Sequence, residues 1–445
     1  MKIKKQFFVI GLLLALLLIP TGAFAGQGIS IQLNGSDMHF VDAKPINQNS
    51  RVYVPFRVVF ENMDASVDYE DGSRTITAIK GDTTVKFVVG NPNITVNGQT
   101  IKTDAASFIR GSRTYVPVRF AAQSLGIKVG WDQAEQSVVM VDRAQMEQMI
   151  PGAYHTMDAF MEYLREQKAQ TLNVNGDMNL DMKLAVKGKN GVKHVPVTGA
   201  FDLTGSSKGN LSNLNLSGSM DMDAYQKALK EAGKLRDEDV HTAEAMKNVQ
   251  MKLIANGDLQ KVYLKSPVFA LNGLDAKAWY QMNQEDTQMQ ESFGPDAFQR
   301  AADYDSFETF VTRELATLPL ENAKYCKAFL SAMEGYRDIH FVDNGSEKRA
   351  VIAQGDQSAE DVVLTLKTAG NRVNGYEQKT ITYVKGVPIS TLTVNGDRNT
   401  ESVHMTMNIA GTMTVDFKGT MHYTSGSQIP VGMPPAGEKV VVLQN

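Results

Sequence analysis

A heptapeptide that returns after 62 residues constrains this chain more than any other feature. Arg51-Val52-Tyr53-Val54-Pro55-Phe56-Arg57 reappears as Arg113-Thr114-Tyr115-Val116-Pro117-Val118-Arg119. Duplication at such a spacing marks one supersecondary unit used twice, and it favours an architectural reading over a catalytic one.

In the first copy Pro55 suits the first turn of a helix, and Phe56, Val59, Phe60 and Met63 then fall on one apolar face. The second copy repeats this with Pro117 and the stripe Val118, Ala121, Ala122 and Leu125. Gly126 fits the left-handed position that closes a helix, whereas Asp64 takes that place in copy one and should close it less well. Each helix is followed by a strand with an aromatic, Val67-Asp68-Tyr69 or Val129-Gly130-Trp131. Asp71-Gly72 signals a tight hairpin in copy one, and Gln133 to Gln136 a longer turn in copy two. Asn34-Gly35 and Asn97-Gly98 predict a leading hairpin ahead of each helix. Two hairpin-helix-hairpin repeats are therefore expected, at about 29–80 and 91–142.

The Asn-Gly hairpin, the Arg-x-Tyr-Val-Pro-x-Arg segment and the tail Val129-Gly130-Trp131-Asp132 together resemble the copper amine oxidase N-terminal-like domain of secreted Gram-positive proteins. The resemblance covers about residues 29–142, within an expected domain at 26–142, and implies a non-catalytic stalk, with copper and a tyrosine-derived quinone housed in a different domain. That catalytic domain is not found: the seven histidines contain no His-x-His pair, and no Asn-Tyr-Asp or Asn-Tyr-Glu segment occurs. The expectation is a protein without cofactor or metal that is not an enzyme. Arg57 and Arg119 offer planar donor forks for an anion or glycan, or else bond strand carbonyls and pack on Tyr69 and Trp131. Tyr53, Tyr115 and Trp131 are the aromatic candidates for the same surface.

The chain opens with Lys2, Lys4 and Lys5, an apolar run from Phe7 to Ile19, and the small-residue site Ala23-Phe24-Ala25. This is the pattern of a cleaved signal peptide, 1–25, with a mature start at Gly26 and a location outside the cell or on the wall of a Gram-positive bacterium. No second apolar run follows, so no membrane span is expected after cleavage. The single cysteine, Cys326, excludes an internal disulfide and reads as a buried small apolar residue. Forty-nine acidic against 45 basic residues give no basic footprint for nucleic acid.

Pro151-Gly152 breaks a helical connector, 143–170, and a larger domain, 171–445, follows. Its first segment alternates with period two: Val174, Met178, Leu180, Met182, Leu184 and Val186 share one face, interrupted at Asn175-Gly176. Helical blocks at about 223–247 and 284–335 separate strands, and the end of the chain reads as consecutive antiparallel strands with turns at Asn374-Gly375 and Asn395-Gly396. The fold class is α+β: the tandem module plus a large curved antiparallel sheet with helices on one side. By pattern this half resembles lipoprotein-carrier folds, which implies a hydrophobic ligand in the concavity.

Eighteen of the 22 methionines lie from Met146 onward. Met178, Met182, Met220, Met222, Met405 and Met407 are candidates to line an apolar cavity, against ordinary core filling. Copper(I) and calcium sites are not expected, since no histidine or cysteine joins the methionine pairs and Asp221 and Asp223 lack a calcium-loop pattern. No nucleophile elbow, zinc-protease helix or phosphate loop appears. The leading reading is a secreted scaffold or binding module whose partner is a cell-wall or surface component. The alternatives are a carrier or sensor of a hydrophobic small molecule and, at lower weight, a wall-directed hydrolase.

Overall fold

The computed structural model describes residues 29–133, 135–189, 191–259, 261–283, 300–353, 360–384 and 386–442; the expected signal segment, 1–25, lies outside them. The chain divides into two compact units. One gathers the N-terminal region up to Ala153 with Val311–Glu334, and the other holds Tyr154–Phe310 and Gly335 to the C-terminus.

In the N-terminal unit the two motif strands, Arg51–Pro55 and Arg113–Pro117, pair with each other. They run antiparallel with Val54 opposite Val116, so the repeat is joined through its own most distinctive segment. A short strand flanks each, Ile46–Gln48 on one side and Phe108–Arg110 on the other. Both helices form where the proline spacing predicts, α1 at Phe56–Asn62 and α2 at Val118–Ser124. Their apolar stripes enter one core with Ile76, Val85, Phe87 and Val138. Asp64 and Gly126 close them in the left-handed region, with φ of 59° and 79°.

The remaining strands exchange partners between repeats. The trailing hairpin of copy two, Lys128–Asp132 and Ser137–Val141, joins the leading hairpin of copy one, Ser30–Leu33 and Ser36–Asp37. The trailing hairpin of copy one, Ser66–Glu70 and Thr75–Lys80, continues through Thr83–Val88 to the leading hairpin of copy two, Asn93–Val96 and Gln99–Lys102. Ion pairs follow the same reciprocity: Arg51 meets Asp104 at 2.9 Å, and Arg113 meets Asp42 at 3.5 Å. Neither copy owns a complete sheet.

Asn34-Gly35 and Asn97-Gly98 turn with all four φ angles positive, as the paired residues of a type I′ turn require. The trailing hairpin of copy two turns between Asp132 and Ser137, as expected, whereas that of copy one differs from expectation: it reverses over Asp71–Arg74, and its left-handed residue is Arg74 rather than Gly72.

Val311–Glu334, which reads in sequence as part of the later helical block, belongs to this unit. Asp132 accepts a hydrogen bond from the Ala323 N–H at 2.8 Å, and the Gln32 amide donates to the Ala323 carbonyl at 3.0 Å. Two glycines make room for it. A Cβ on Gly130 would lie 2.3 Å from the Leu320 carbonyl oxygen, and one on Gly35 would lie 2.8 Å from the Leu330 Cβ.

In the second unit, fourteen strands among the described residues form one sheet. The opening strand, Thr171–Gly188, lies at its middle, paired on one side with Gly191–Lys208 and on the other with Met413–Ser425. The C-terminal strands predicted from sequence form the consecutive run Glu347–Ala353, Glu360–Ala369, Arg372–Val384, Val387–Asp397 and Thr400–Ile409. Asn175-Gly176, Asn374-Gly375 and Asn395-Gly396 are not turns; each lies inside a strand without positive φ. Gly176 and Gly375 serve close backbone approach instead: a Cβ on Gly176 would lie 2.5 Å from the Thr420 carbonyl oxygen, and one on Gly375 2.9 Å from the Gly396 carbonyl oxygen.

Register shows that helices share a face of this sheet. Tyr376 lies opposite Gly396, Gly396 opposite Glu401, Glu401 opposite Met421 and Met421 opposite Gly176. Gly176 is an even-numbered position of the opening strand, like Val186, and side chains alternate along a strand. The helix His155–Ala169 packs Phe160 and Tyr163 on Tyr376, and the helix Asp223–Glu231 packs Ala228 and Leu229 on Val186 and Val195.

Candidate functional site

A groove of about 760 Å³ opens in the N-terminal unit. Copy one supplies Asn47, Ser50, Arg51 and Val52, and copy two supplies its leading hairpin, the exposed face of α2 and the strand around Trp131. Because the hairpins exchange partners, residues far apart in sequence meet here. Val118, Phe120, Trp131 and Val138 give it apolar surface, while amide and hydroxyl side chains such as Gln123, Ser124, Gln133 and Gln136 give it donors and acceptors. The Trp131 indole N–H donates to Gln133 Oε1 at 3.0 Å, which fixes the ring at the wall.

The two candidate arginines have different fates. Arg57 lies 3.6 Å from Glu61 one helical turn on, and its guanidinium sits 5.6 Å from the centre of the Phe56 ring. In copy two the position of Glu61 is held by Gln123, so Arg119 has no carboxylate there. Arg119 is exposed at the groove and makes no hydrogen bond or ion pair among the described residues; Lys102, also exposed in the lining, makes none either. Arg51 in the same lining is neutralised by Asp104. The groove thus holds two uncompensated cations in a chain of net charge −4.

Tyr53 and Tyr115 are not part of this surface. Both are buried, and their rings flank Phe108 at centroid distances of 5.0 and 5.7 Å. The Tyr115 hydroxyl donates to the Lys44 carbonyl at 3.3 Å. Of the five contact candidates, the fold brings Arg119 and Trp131 together. Lys102 and the glutamines carried no motif; the one legible signal was the change from Glu61 to Gln123 between copies.

The methionine candidates gather on the helix-bearing face of the large sheet. Register places Met178 and Met182 on that face, with Met220, Met405 and Met407 on neighbouring strands of the same side. Met222 follows the strand and precedes the helix Asp223–Glu231. All are buried except Met407, which is half-buried. The two cavities described in this unit are lined by none of them; the larger, of about 590 Å³, lies on the opposite face among Asn173, Asn175, Thr204 and Asn215. A polar island also sits on the methionine-bearing face. The Tyr376 hydroxyl donates to Glu401 Oε2 at 3.3 Å beside Gln378, whose amide is buried with no protein partner.

No group of three or more His, Cys, Asp or Glu side chains able to hold a metal occurs among the described residues. No helix among them is long and apolar enough to cross a membrane. Cys326 is fully buried, its thiol donating to the Pro319 carbonyl at 3.1 Å.

Residues 32–140 match the family model of the copper amine oxidase N-terminal domain. The chain matches no curated protein. Among solved structures it is similar to an outer membrane lipoprotein-sorting protein domain from Vibrio parahaemolyticus, at 10% identity over 61% of this chain and 94% of that one, with a TM-score of 0.22. It is also similar to lipovitellin, at 8% identity over 59% of this chain and 26% of that one, with a TM-score of 0.17.

Proposed function

We propose that this chain is a secreted, non-catalytic binding protein of the Gram-positive cell envelope, and that the groove beside Arg119 and Trp131 is its ligand-binding surface. The observation that carries the reading is the groove itself: a cleft of ligand size with an aromatic wall, convergent amides and free cations, in the unit that matches a domain type not associated with catalysis. The sheet unit then serves as the body that the tandem module carries or anchors.

Two measurements test this. Expression in a Gram-positive host should yield a mature N-terminus at Gly26 and protein in the wall or culture fraction. The mature chain should co-sediment with isolated wall sacculi; protein that stays wholly in the supernatant would overturn the reading.

A second reading is carriage of an amphiphile by the sheet unit. It is favoured by the buried, unpartnered amide of Gln378 on the same face as the methionines, since a buried polar group without a partner is costly. Native mass spectrometry of the purified chain would reveal a co-purified lipid; a mass equal to the polypeptide alone would exclude it.

A further inference from the structure

We infer that the groove takes an anionic saccharide polymer, with Arg119 and Lys102 as its charge contacts and Trp131 as its ring platform. The inference rests on the binding reading above and narrows its ligand.

The two repeats provide an internal comparison. Each places an arginine on the first turn of its helix and an aromatic on the following strand: Arg57 with Tyr69, and Arg119 with Trp131. In copy one the next helical turn supplies Glu61, and the arginine is held within its own helix. In copy two that carboxylate is an amide, Gln123, which itself lines the groove, and the guanidinium is left for something outside the protein. A free guanidinium presents a fork of donors matched to phosphate or carboxylate oxygens.

Lys102 adds a second positive charge from a different strand, at the end of the leading hairpin of copy two. The one carboxylate among the described lining residues, Asp104, is engaged by Arg51 through two guanidinium nitrogens at 2.9 Å. It therefore offsets that arginine and leaves the field of the other two cations in place. A neutral ligand would gain little from them.

The rest of the lining selects saccharide over peptide. An indole offers a flat apolar face with a polar edge, which suits a pyranose ring stacked face-on. The surrounding amides and hydroxyls act as both donors and acceptors, as ring hydroxyls do. The groove is open to solvent, so a ligand reaches Trp131 from outside the protein.

The test uses the full mature chain and Gram-positive sacculi in two forms, native and stripped of phosphodiester-linked polymers by hydrofluoric acid, with soluble polygalacturonate as a carboxylate competitor. Expected is retention on native wall, at least a tenfold loss on stripped wall, and competition by polygalacturonate but not by neutral dextran. Arg119→Gln and Lys102→Gln should each weaken retention about threefold to tenfold. Arg57→Gln, at the equivalent position of copy one, should leave it unchanged. Equal retention on native and stripped wall would overturn the anionic inference while leaving the binding reading standing. No retention on either would overturn both. Because both groove residues are exposed, circular dichroism of the variants should match the parent; loss of binding with Arg57→Gln equal to that with Arg119→Gln would also contradict the assignment.

Discussion

Val54 and Val116 face each other across an antiparallel pair, both fully buried, so the repeated heart of each copy is the other copy's neighbour. The duplication therefore does not give two beads on a string. It gives one interlocked module with a shared core, since each outer sheet is also built from hairpins of both copies.

Interlocking predicts that a single repeat cannot fold. Residues 26–90 alone lack the strand Ser137–Val141 that pairs with Ser30–Leu33, and the strand Arg113–Pro117 that covers Val54. Their proton NMR spectrum should show the narrow dispersion of an unfolded chain. In the intact protein Val116→Ala should cost about 2 kcal/mol of unfolding free energy in urea titration, by lost burial and a residual cavity.

The two helix closures predict opposite effects of exchanging their residues. Asp64→Gly should stabilise the module by about 0.5–1 kcal/mol, because glycine adopts the left-handed conformation without a Cβ penalty. The hydrogen bond lost, from the Gln145 amide at 3.2 Å, is exposed and offsets only part of this. Gly126→Ala should destabilise by about 1 kcal/mol, although open space surrounds it, purely through backbone strain. Urea midpoints of the two variants should move in opposite directions.

Gly130→Ala tests the docking of Val311–Glu334 on the N-terminal unit. The added methyl meets the Leu320 backbone rather than a flexible side-chain end. A loss of about 2–3 kcal/mol is expected, as for other overpacked sites. Limited proteolysis should then cut near Leu320 in the variant before the parent.

How far these features could be read beforehand depended on whether the signal was local. The helices α1 and α2 were legible because proline placement and the apolar stripe act within one turn. Asn-Gly was ambiguous: at Asn34-Gly35 flanking strands reverse, whereas at Asn374-Gly375 a neighbouring backbone approaches, and only the folded sheet distinguishes the two cases. The groove was half legible. Arg119 and Trp131 stood out by repetition, but Lys102 sits on a hairpin exchanged between copies and Asn47 beside the paired motif strands, neither of which a short-range pattern encodes.

Asp338 caps the helix His155–Ala169 from far along the chain, accepting from the N–H groups of His155 and Thr156, 183 and 182 residues away, at 2.9 and 2.8 Å. Burial alone would raise its pKa, but these bonds, the Thr156 hydroxyl and the His155 ring together hold it below the usual carboxylate value. A carboxylate depressed in the folded state stabilises above its unfolded pKa, roughly 4, and loses that contribution as pH falls through the lower folded value. Asp338→Ala should cost about 1–2 kcal/mol at pH 7, and the gap from the parent should narrow below about pH 4.

Cys326 should be chemically silent in the native chain. Burial first, then Glu321 and Asp132, push its thiol up to about 12, so almost no thiolate exists at pH 8. Iodoacetamide should label it only after denaturation, and rapid native labelling would contradict its placement.

The chain has two tryptophans, Trp131 in the groove and Trp279 in the sheet unit, where its indole N–H donates to Glu438 at 2.8 Å. Their indole N–H resonances therefore report on the two units separately. Titration of the ¹⁵N-labelled chain with muramidase-solubilised wall fragments that retain their anionic polymer should shift the Trp131 resonance saturably and leave Trp279 in place. A shift confined to Trp279, or no shift at either, would contradict the assignment of the groove as the binding surface.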